Sequence, residues 1–523
     1  MARKLFPLKK INTSDEDYIF SQWTWNGFEF FSPCFLGENN VKFLNHQMSL
    51  KDESCWNDAF TDKLWLYNLH YFDDLNCNNS LSRKQLQLAL IKRWINENPP
   101  PVGNGWEPYP LSLRLVNWIK WYNRAQVDDQ SIVNSIALQA KALTKQIEYH
   151  ILGNHLFANG KALVFAGCFL KGDFADRCLK LGLSILKRET PEQFLDDGGH
   201  FELSPMYHAI LLCDLLDLIN LSQCTGNVAL KGVECVWRDY ASRALAWLKT
   251  MTHPDDEICF FNDSAFDIAA TPAQICMYAS SLGIIEQSNV IGPLHTLKQS
   301  GYSRIELNDH VLFFDHADVG PDYLPGHAHA DTLSVEWSVM GQRVLVNSGT
   351  SIYGVSDERL SQRKTAAHNT VVVDGQDSSE VWSGFRVARR AYSKLERAIV
   401  GDDSVSIKAS HNGFRRLKGR VTHSREIYAD KSFLNIKDVL DGRFQSAVVY
   451  YHLHPDIIIL ESDDSSLLLK VNKFFNIQVK VDGEIFVEDS NWHPRFGESV
   501  ASKRFKVKFH RSQIAVSFNL IQV

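Results

Sequence analysis

The chain has 523 residues, 45% of them hydrophobic and 22% charged, the balance of an ordinary globular protein long enough for two large domains. Its 55 basic and 61 acidic side chains leave a formal charge of −6, which excludes a global basic field that would draw nucleic acid or anionic lipid. An anionic substrate would need a local basic patch instead.

The basic N-terminus is followed by the polar stretch 12–18, where a secretory signal would carry its apolar segment. No uninterrupted apolar run approaches the ~20 residues of a membrane-spanning helix. The expectation is therefore a cytoplasmic location by default, or a periplasmic or secreted one if a leader has been removed. All ten cysteines lie between Cys34 and Cys276, none in a Cys-x-x-Cys pair, and read as buried free thiols.

In chain order, residues 1–75 are aromatic-rich, with Trp23, Trp25, Phe28, Phe30, Phe31, Trp65, Tyr67, Tyr71 and Phe72. They read as an N-terminal extension packed on a helical body, with sugar stacking by one or two rings as an alternative. From 76 to 298 apolar residues recur at helical spacing. Leu86, Leu90 and Trp94 share one face, as do Leu111, Leu115, Trp118 and Ile119, and Tyr207, Leu211, Leu215 and Leu218. Further helices are predicted near 130–152, 155–170, 173–187, 237–251 and 272–284. From 299 to 523 the pattern turns strand-like, as in 311–314, 333–339, 344–346, 370–373, 448–451, 467–471, 477–481 and 514–518. Helices first and strands second predict a multi-helix array followed by an antiparallel sandwich, not an alternating α/β sheet.

Four segments concentrate titratable groups in apolar surroundings. They are Gly153-Asn154-His155, the stretch from Gly198 to His208 with Glu202 and Tyr207, Gly326-His327-Ala328-His329-Ala330-Asp331, and Ala367-His368-Asn369-Thr370. Singly, the first, second and fourth read as structural: Asn154 as a helix cap, His155 as a hydrogen-bonded histidine, Tyr207 as the first rung of a packed stripe. Two histidines and an aspartate within five residues of a loop read more readily as a site.

Taken together and in this order, the four segments resemble the heparinase II/III-like lyases. The stretches from Gly105 to Arg114 and from Phe385 to Ala391 resemble that family too, over roughly residues 60–460. The resemblance implies an (α/α) toroid followed by an antiparallel β-sandwich, and cleavage of a uronic-acid-containing glycan by β-elimination. That reaction removes a weakly acidic C5 proton, so the neighbouring carboxylate must be neutralised while a base takes the proton and an acid protonates the leaving O4. By resemblance, Asn154 would hydrogen-bond the substrate carboxylate and Tyr207 would shuttle the proton. His155 would serve as a base on the opposite sugar face, and His327 would steady the carboxylate or the phenolate. Glu202, Arg114, Arg359, Arg363, Arg386 and Trp106 are the expected substrate-binding residues, with Glu202 equally readable as a helix-start cap. Arg386, Arg389 and Arg390 cannot all face one side of a strand.

Some relatives hold a structural zinc in the sandwich. The corresponding positions here are His329, Asn347 and His368, with a neutral amide where a carboxylate is expected. A zinc site and a hydrogen-bonded polar network are both left open, and no organic cofactor is expected. Two further functions stay open: a uronyl C5-epimerase using the same residues, and a non-catalytic glycan-binding protein. The expected partner is an anionic polysaccharide or oligosaccharide, with no nucleic acid and no membrane segment.

Overall fold

The computed structural model describes residues 17–287 and 292–523; the reading of the basic N-terminus lies outside the described residues. Nine α-helices precede the sheet-forming half among the described residues: α1 Lys63–Tyr71, α2 Lys84–Glu97, α3 Pro108–Arg124, α4 Gln130–Leu143, α5 Gly153–Phe169, α6 Asp173–Gln193, α7 Pro205–Thr225, α8 Val228–Thr250 and α9 Pro272–Ser281. A short tenth, α10 Asp357–Arg363, lies among the strands. The expected helical toroid followed by antiparallel sheets is the architecture found. Two compact units interleave along the chain. One comprises Ile210–Ser242, Gln274–Ile285 and the described part of Met1–Phe194; the other comprises Leu195–Ala209, Arg243–Ala273 and Glu286–Val523. The sequence divided the chain after residues 75 and 298; a change of periodicity does not reveal that Leu195–Ala209 and Arg243–Ala273 fold with the strands.

In the first unit α3 starts with Pro108 at its first position, where the missing N–H costs nothing, and buries Leu111, Leu115, Trp118 and Ile119. Trp94 of α2 packs against Trp106 and Trp118 at 5.7 and 5.5 Å between ring centroids. The aromatic N-terminal segment packs in the same manner: Phe20 on Phe169 and Tyr122, Trp25 on Phe165, and Phe28 and Phe30 on Tyr278. In the charged interior of this unit Lys161 donates to Asp214 and Asp217, both at 2.5 Å. Among the described residues no helix is long and apolar enough to cross a membrane.

The second unit contains three larger antiparallel sheets. The first runs in chain order through Leu294–Leu297, Tyr302–Leu307, His310–Asp315, Val335–Val339 and Gln342–Leu345. The second orders Glu484–Trp492, Val500–Phe509, Ala447–His452 and Val371–Val373. The third orders eight strands: Ser393–Val400, Ser404–His411, Thr422–Asp430, Phe433–Asp441, Gln513–Gln522, Phe475–Val481, Ser466–Lys470 and Ile458–Ser462. One apolar core draws on all three, including Leu312, Trp337, Val371, Val449, Ile427, Ile436 and Phe518. All ten cysteines are free, but only Cys77, Cys168, Cys178 and Cys259 are buried, and Cys235 is exposed. The expectation of uniformly buried thiols is corrected to that extent.

Candidate functional site

In the second unit Leu203 takes a left-handed backbone (φ 59°), and the hydroxyl of Ser204 accepts the Tyr207 backbone N–H at 3.1 Å, capping α7. Tyr207 is thereby fixed in the first turn, half-buried. Its ring lies on the His327 imidazole with centroids 3.9 Å apart, and its hydroxyl is 3.2 Å from that of Tyr353.

His327 is held from behind by Asp263. One oxygen of this buried carboxylate is 2.9 Å from His327 Nδ1, and the other is 2.8 Å from His329 Nε2. Arg359, itself fully buried, closes a two-pronged pair on the same carboxylate, with Nη2 to Oδ2 at 2.7 Å. Burial alone would raise the Asp263 pKa; the Arg359 charge and the two imidazoles outweigh it and hold the group well below the usual carboxylate range. Burial pushes the His329 pKa down, only partly offset by Asp263. Arg359 also lies 4.9 Å from the Tyr353 ring centroid and 5.4 Å from that of Phe385.

The loop carrying Asp263 is joined to the histidine loop by hydrogen bonds from backbone N–H groups to one backbone and two side-chain oxygens. Asp263 N donates to His327 O at 3.0 Å, His329 N to Asn262 Oδ1 at 3.0 Å, and Asn262 N to Asp331 Oδ2 at 3.0 Å. Asp331 is thus a loop brace. Glu202 approaches His327 Nε2 only to 4.0 Å. His208 donates from Nε2 to Ala244 O at 2.9 Å and accepts the His200 N–H at Nδ1. Burial brings its pKa down to about 3, so it is a neutral framework residue.

In the first unit, Asn154 stands in the first turn of α5 and is not its cap; Leu152 holds that position. His155 Nδ1 is 3.0 Å from Glu148 Oε1, and its ring stacks on Tyr109 at 4.1 Å. Glu148 is buried, and its second oxygen accepts from Asn159 Nδ2 at 3.1 Å.

Several expected substrate-binding residues have no surface to offer. Trp106 is 1% exposed and donates to Asn98 O; it belongs to the tryptophan core. Arg114 is 0% exposed, stacked 3.9 Å over Trp94 and donating to Gln139, His70 O and Gly105 O. It staples the helical core. Arg359 and Arg363 are equally buried, and Arg363 braces the histidine loop through Ala328 O at 2.9 Å. All four are corrected from substrate-binding to framework roles. Arg386 alone of the five expected arginine and tryptophan contacts is exposed. Arg389 is taken by Glu380, and Arg390 lies 3.4 Å from Asp322.

Sequence reasoning missed Asp263, Tyr353 and Glu148. The signal for Asp263 was the polar trio Asn262-Asp263-Ser264 directly after the apolar run 258–261. Tyr353 and Glu148 carry no local signal.

The zinc expectation is tested by the donors. His368 Nδ1 is 3.1 Å from Asn347 Oδ1, and Ser334 Oγ donates to the same oxygen at 2.7 Å. Asn347 therefore has no free oxygen lone pair, and the residues do not fit a closed zinc site. Among the described residues, one group of three metal-type donors lies together: His253, Cys259 and Glu336, all buried. There His253 Nε2 is 2.9 Å from Glu336 Oε2 and Nδ1 is 2.8 Å from Ser338 Oγ, so hydrogen bonds already engage the imidazole on both sides.

Comparison with known proteins agrees with this architecture. Residues 83–281 match the heparinase II/III N-terminus family and residues 291–520 the heparinase II/III-like C-terminal family. A heparin-sulfate lyase of Bacteroides stercoris is 21% identical over 399 residues, covering 71% of this chain and 55% of its own length. The chain thus spans about half the length of that curated relative. Among solved structures, a heparinase III is similar with a TM-score of 0.73 at 17% identity, over 90% of this chain and 79% of its own. A heparan sulfate lyase from Pedobacter heparinus has a TM-score of 0.60 at 14% identity, over 93% and 81%. With both family regions present in order and covering most of its length, the chain belongs to the heparinase II/III family.

Proposed function

We propose that this protein is a polysaccharide lyase that cleaves a uronic-acid-containing glycan by β-elimination. The observation that carries the reading is the Tyr207–His327 stack at 3.9 Å, with His327 anchored through Nδ1 to a buried, ionised carboxylate. A phenol with an ordinary pKa of ~10 is protonated at neutral pH and can give its proton to a leaving oxygen. The Asp263 contact keeps the His327 proton on Nδ1 and leaves Nε2 as the basic nitrogen.

In the proposed reaction the C5–H bond breaks, its electron pair forms the C4=C5 double bond, and the C4–O4 bond breaks as O4 takes a proton. Tyr207 gives its phenol proton to O4 and takes the C5 proton in return, so the phenol is restored at the end of the step. The reading gives the uronate carboxylate to the Asn154 amide and a second basic role to His155, whose ring is oriented by Glu148. The names of the relatives, heparin-sulfate and heparan sulfate lyases, support an anionic glycosaminoglycan-type substrate. Arg386 is the exposed cation available among the expected binding arginines.

The test separates elimination from epimerisation. The protein is incubated in deuterated water with a uronate polysaccharide, and ultraviolet absorbance is followed together with deuterium at C5. Elimination gives an absorbing unsaturated uronate. Deuterium entering C5 without new absorbance would replace the lyase by a C5-epimerase.

A further inference from the structure

Among the described residues, three buried side-chain atoms in one contiguous cluster of the second unit have no hydrogen-bond partner: His329 Nδ1, His368 Nε2 and Asn347 Nδ2. The His329 and His368 rings lie 5.2 Å apart, and His368 Nδ1 is 3.1 Å from Asn347 Oδ1. All three residues are at most 1% exposed. A buried polar atom left without a partner carries the cost of its lost hydration with no hydrogen bond in return, so three together call for an occupant.

The surrounding hydrogen bonds fix what that occupant meets. Asn369 N donates to Ser334 Oγ at 3.0 Å, and Ser334 Oγ–H donates to Asn347 Oδ1. His368 Nδ1–H donates to the same oxygen, which leaves His368 Nε2 as a bare lone pair. His329 donates from Nε2 to Asp263, which leaves its Nδ1 as a second lone pair. Asn347 Nδ2 contributes N–H donors. Two acceptors and one donor are the complement of a single water molecule, which gives two protons and accepts one. Turning the amide over does not create a metal site: Nδ2 would then donate to His368 Nδ1 and force the imidazole proton onto Nε2, removing that nitrogen as a ligand.

We infer that in this chain the sandwich position where relatives hold zinc is a metal-free network, in which a buried water bridges His329, His368 and the Asn347 amide. The single amide at 347 is what excludes the ion. An aspartate there would present a free, charged oxygen beside two imidazole nitrogens; the asparagine presents N–H groups, which repel a cation. This inference is independent of the lyase reading, since it concerns the fold and not the reaction.

The experiment uses the full chain purified from zinc-supplemented medium. Metal content is measured by mass spectrometry after desalting, and Tm is measured with and without a strong chelator. The wild type is expected to carry no zinc above the buffer blank and to show the same Tm in both conditions. Asn347→Asp is expected to bind about one zinc per chain and to lose Tm on chelation. A wild type that holds zinc through desalting and melts earlier with chelator would overturn the inference. A folded Asn347→Asp that stays zinc-free would overturn the role given to the amide. If the variant does not fold, the wild-type metal content and chelator response decide alone.

Discussion

Asp263 Oδ2 sits 2.9 Å from His327 Nδ1, and the same carboxylate is locked in place by the buried Arg359. The pair fixes both the direction and the tautomer of the histidine whose ring lies on Tyr207. Asp263 is therefore a positioning residue, acting through His327. Asp263→Asn keeps the shape, but its amide can donate to Nδ1 and move the imidazole proton to Nε2. The expected result is a kcat loss on the order of 10²-fold or more with KM nearly unchanged. It leaves Arg359 buried without a counter-charge, so unfolding free energy should also fall by about 3–5 kcal/mol. Equal loss in kcat and KM-controlled binding would point to a structural role alone.

Tyr207→Phe removes one hydroxyl from a half-buried ring. Product formation should drop below detection while Tm stays near wild type, because the ring still packs on His327. Tyr353→Phe removes the hydroxyl 3.2 Å away and should cost less, roughly tenfold, if its hydrogen bond only orients Tyr207. His327→Ala should be as inactive as Tyr207→Phe. Wild-type turnover in either of the two inactive variants contradicts the assignment.

Acid stability should report a second buried pair. Asp438 lies between Arg425, at 2.8 Å from its Nε, and His423, at 2.7 Å. Burial pushes its pKa up, but the Arg425 charge and the His423 hydrogen bond hold it at about 2. The folded-state pKa is below the unfolded value of ~3.9, so this stabilisation is complete above pH ~4 and is lost as pH falls towards 2. Asp438→Asn should unfold about 3–5 kcal/mol more easily at neutral pH. It should also flatten the acid limb of the stability profile measured by urea titration.

That pair also explains what the sequence hid. Helix positions and several strands were legible, because α3 and Phe475–Val481 bury apolar residues at regular spacing. The strand Thr422–Asp430 was not, because its inward positions include His423 and Arg425, so hydrophobic alternation is interrupted by buried charge. Ser393–Val400 is mostly exposed and shows no buried face. At the candidate site, Tyr207 and His327 were legible as motif residues. Asp263 was not, because its partners are 64 and 96 residues away and only folding brings them together. The buried fate of Arg114 was hidden for the same reason: its acceptors are two backbone carbonyls and a glutamine, which leave no charge pattern.

Gly198 opens the segment that leads to Tyr207, with φ at +91°. A Cβ there would lie 2.3 Å from the Arg243 carbonyl oxygen, a backbone atom that cannot step aside. Gly198→Ala should lower stability by about 2 kcal/mol or more, seen as a Tm drop, through both strain and collision. A neutral effect would mean that the turn relaxes.

The central claim is that Tyr207 and His327 drive β-elimination from a uronate glycan. The most direct measurement is ultraviolet absorbance on a panel of uronate polysaccharides, sulfated and unsulfated, with wild type and Tyr207→Phe side by side. The account predicts rising absorbance from an unsaturated uronate with at least one polymer for the wild type and none for the variant. No absorbance from the wild type across the panel, or equal absorbance from both proteins, would contradict it.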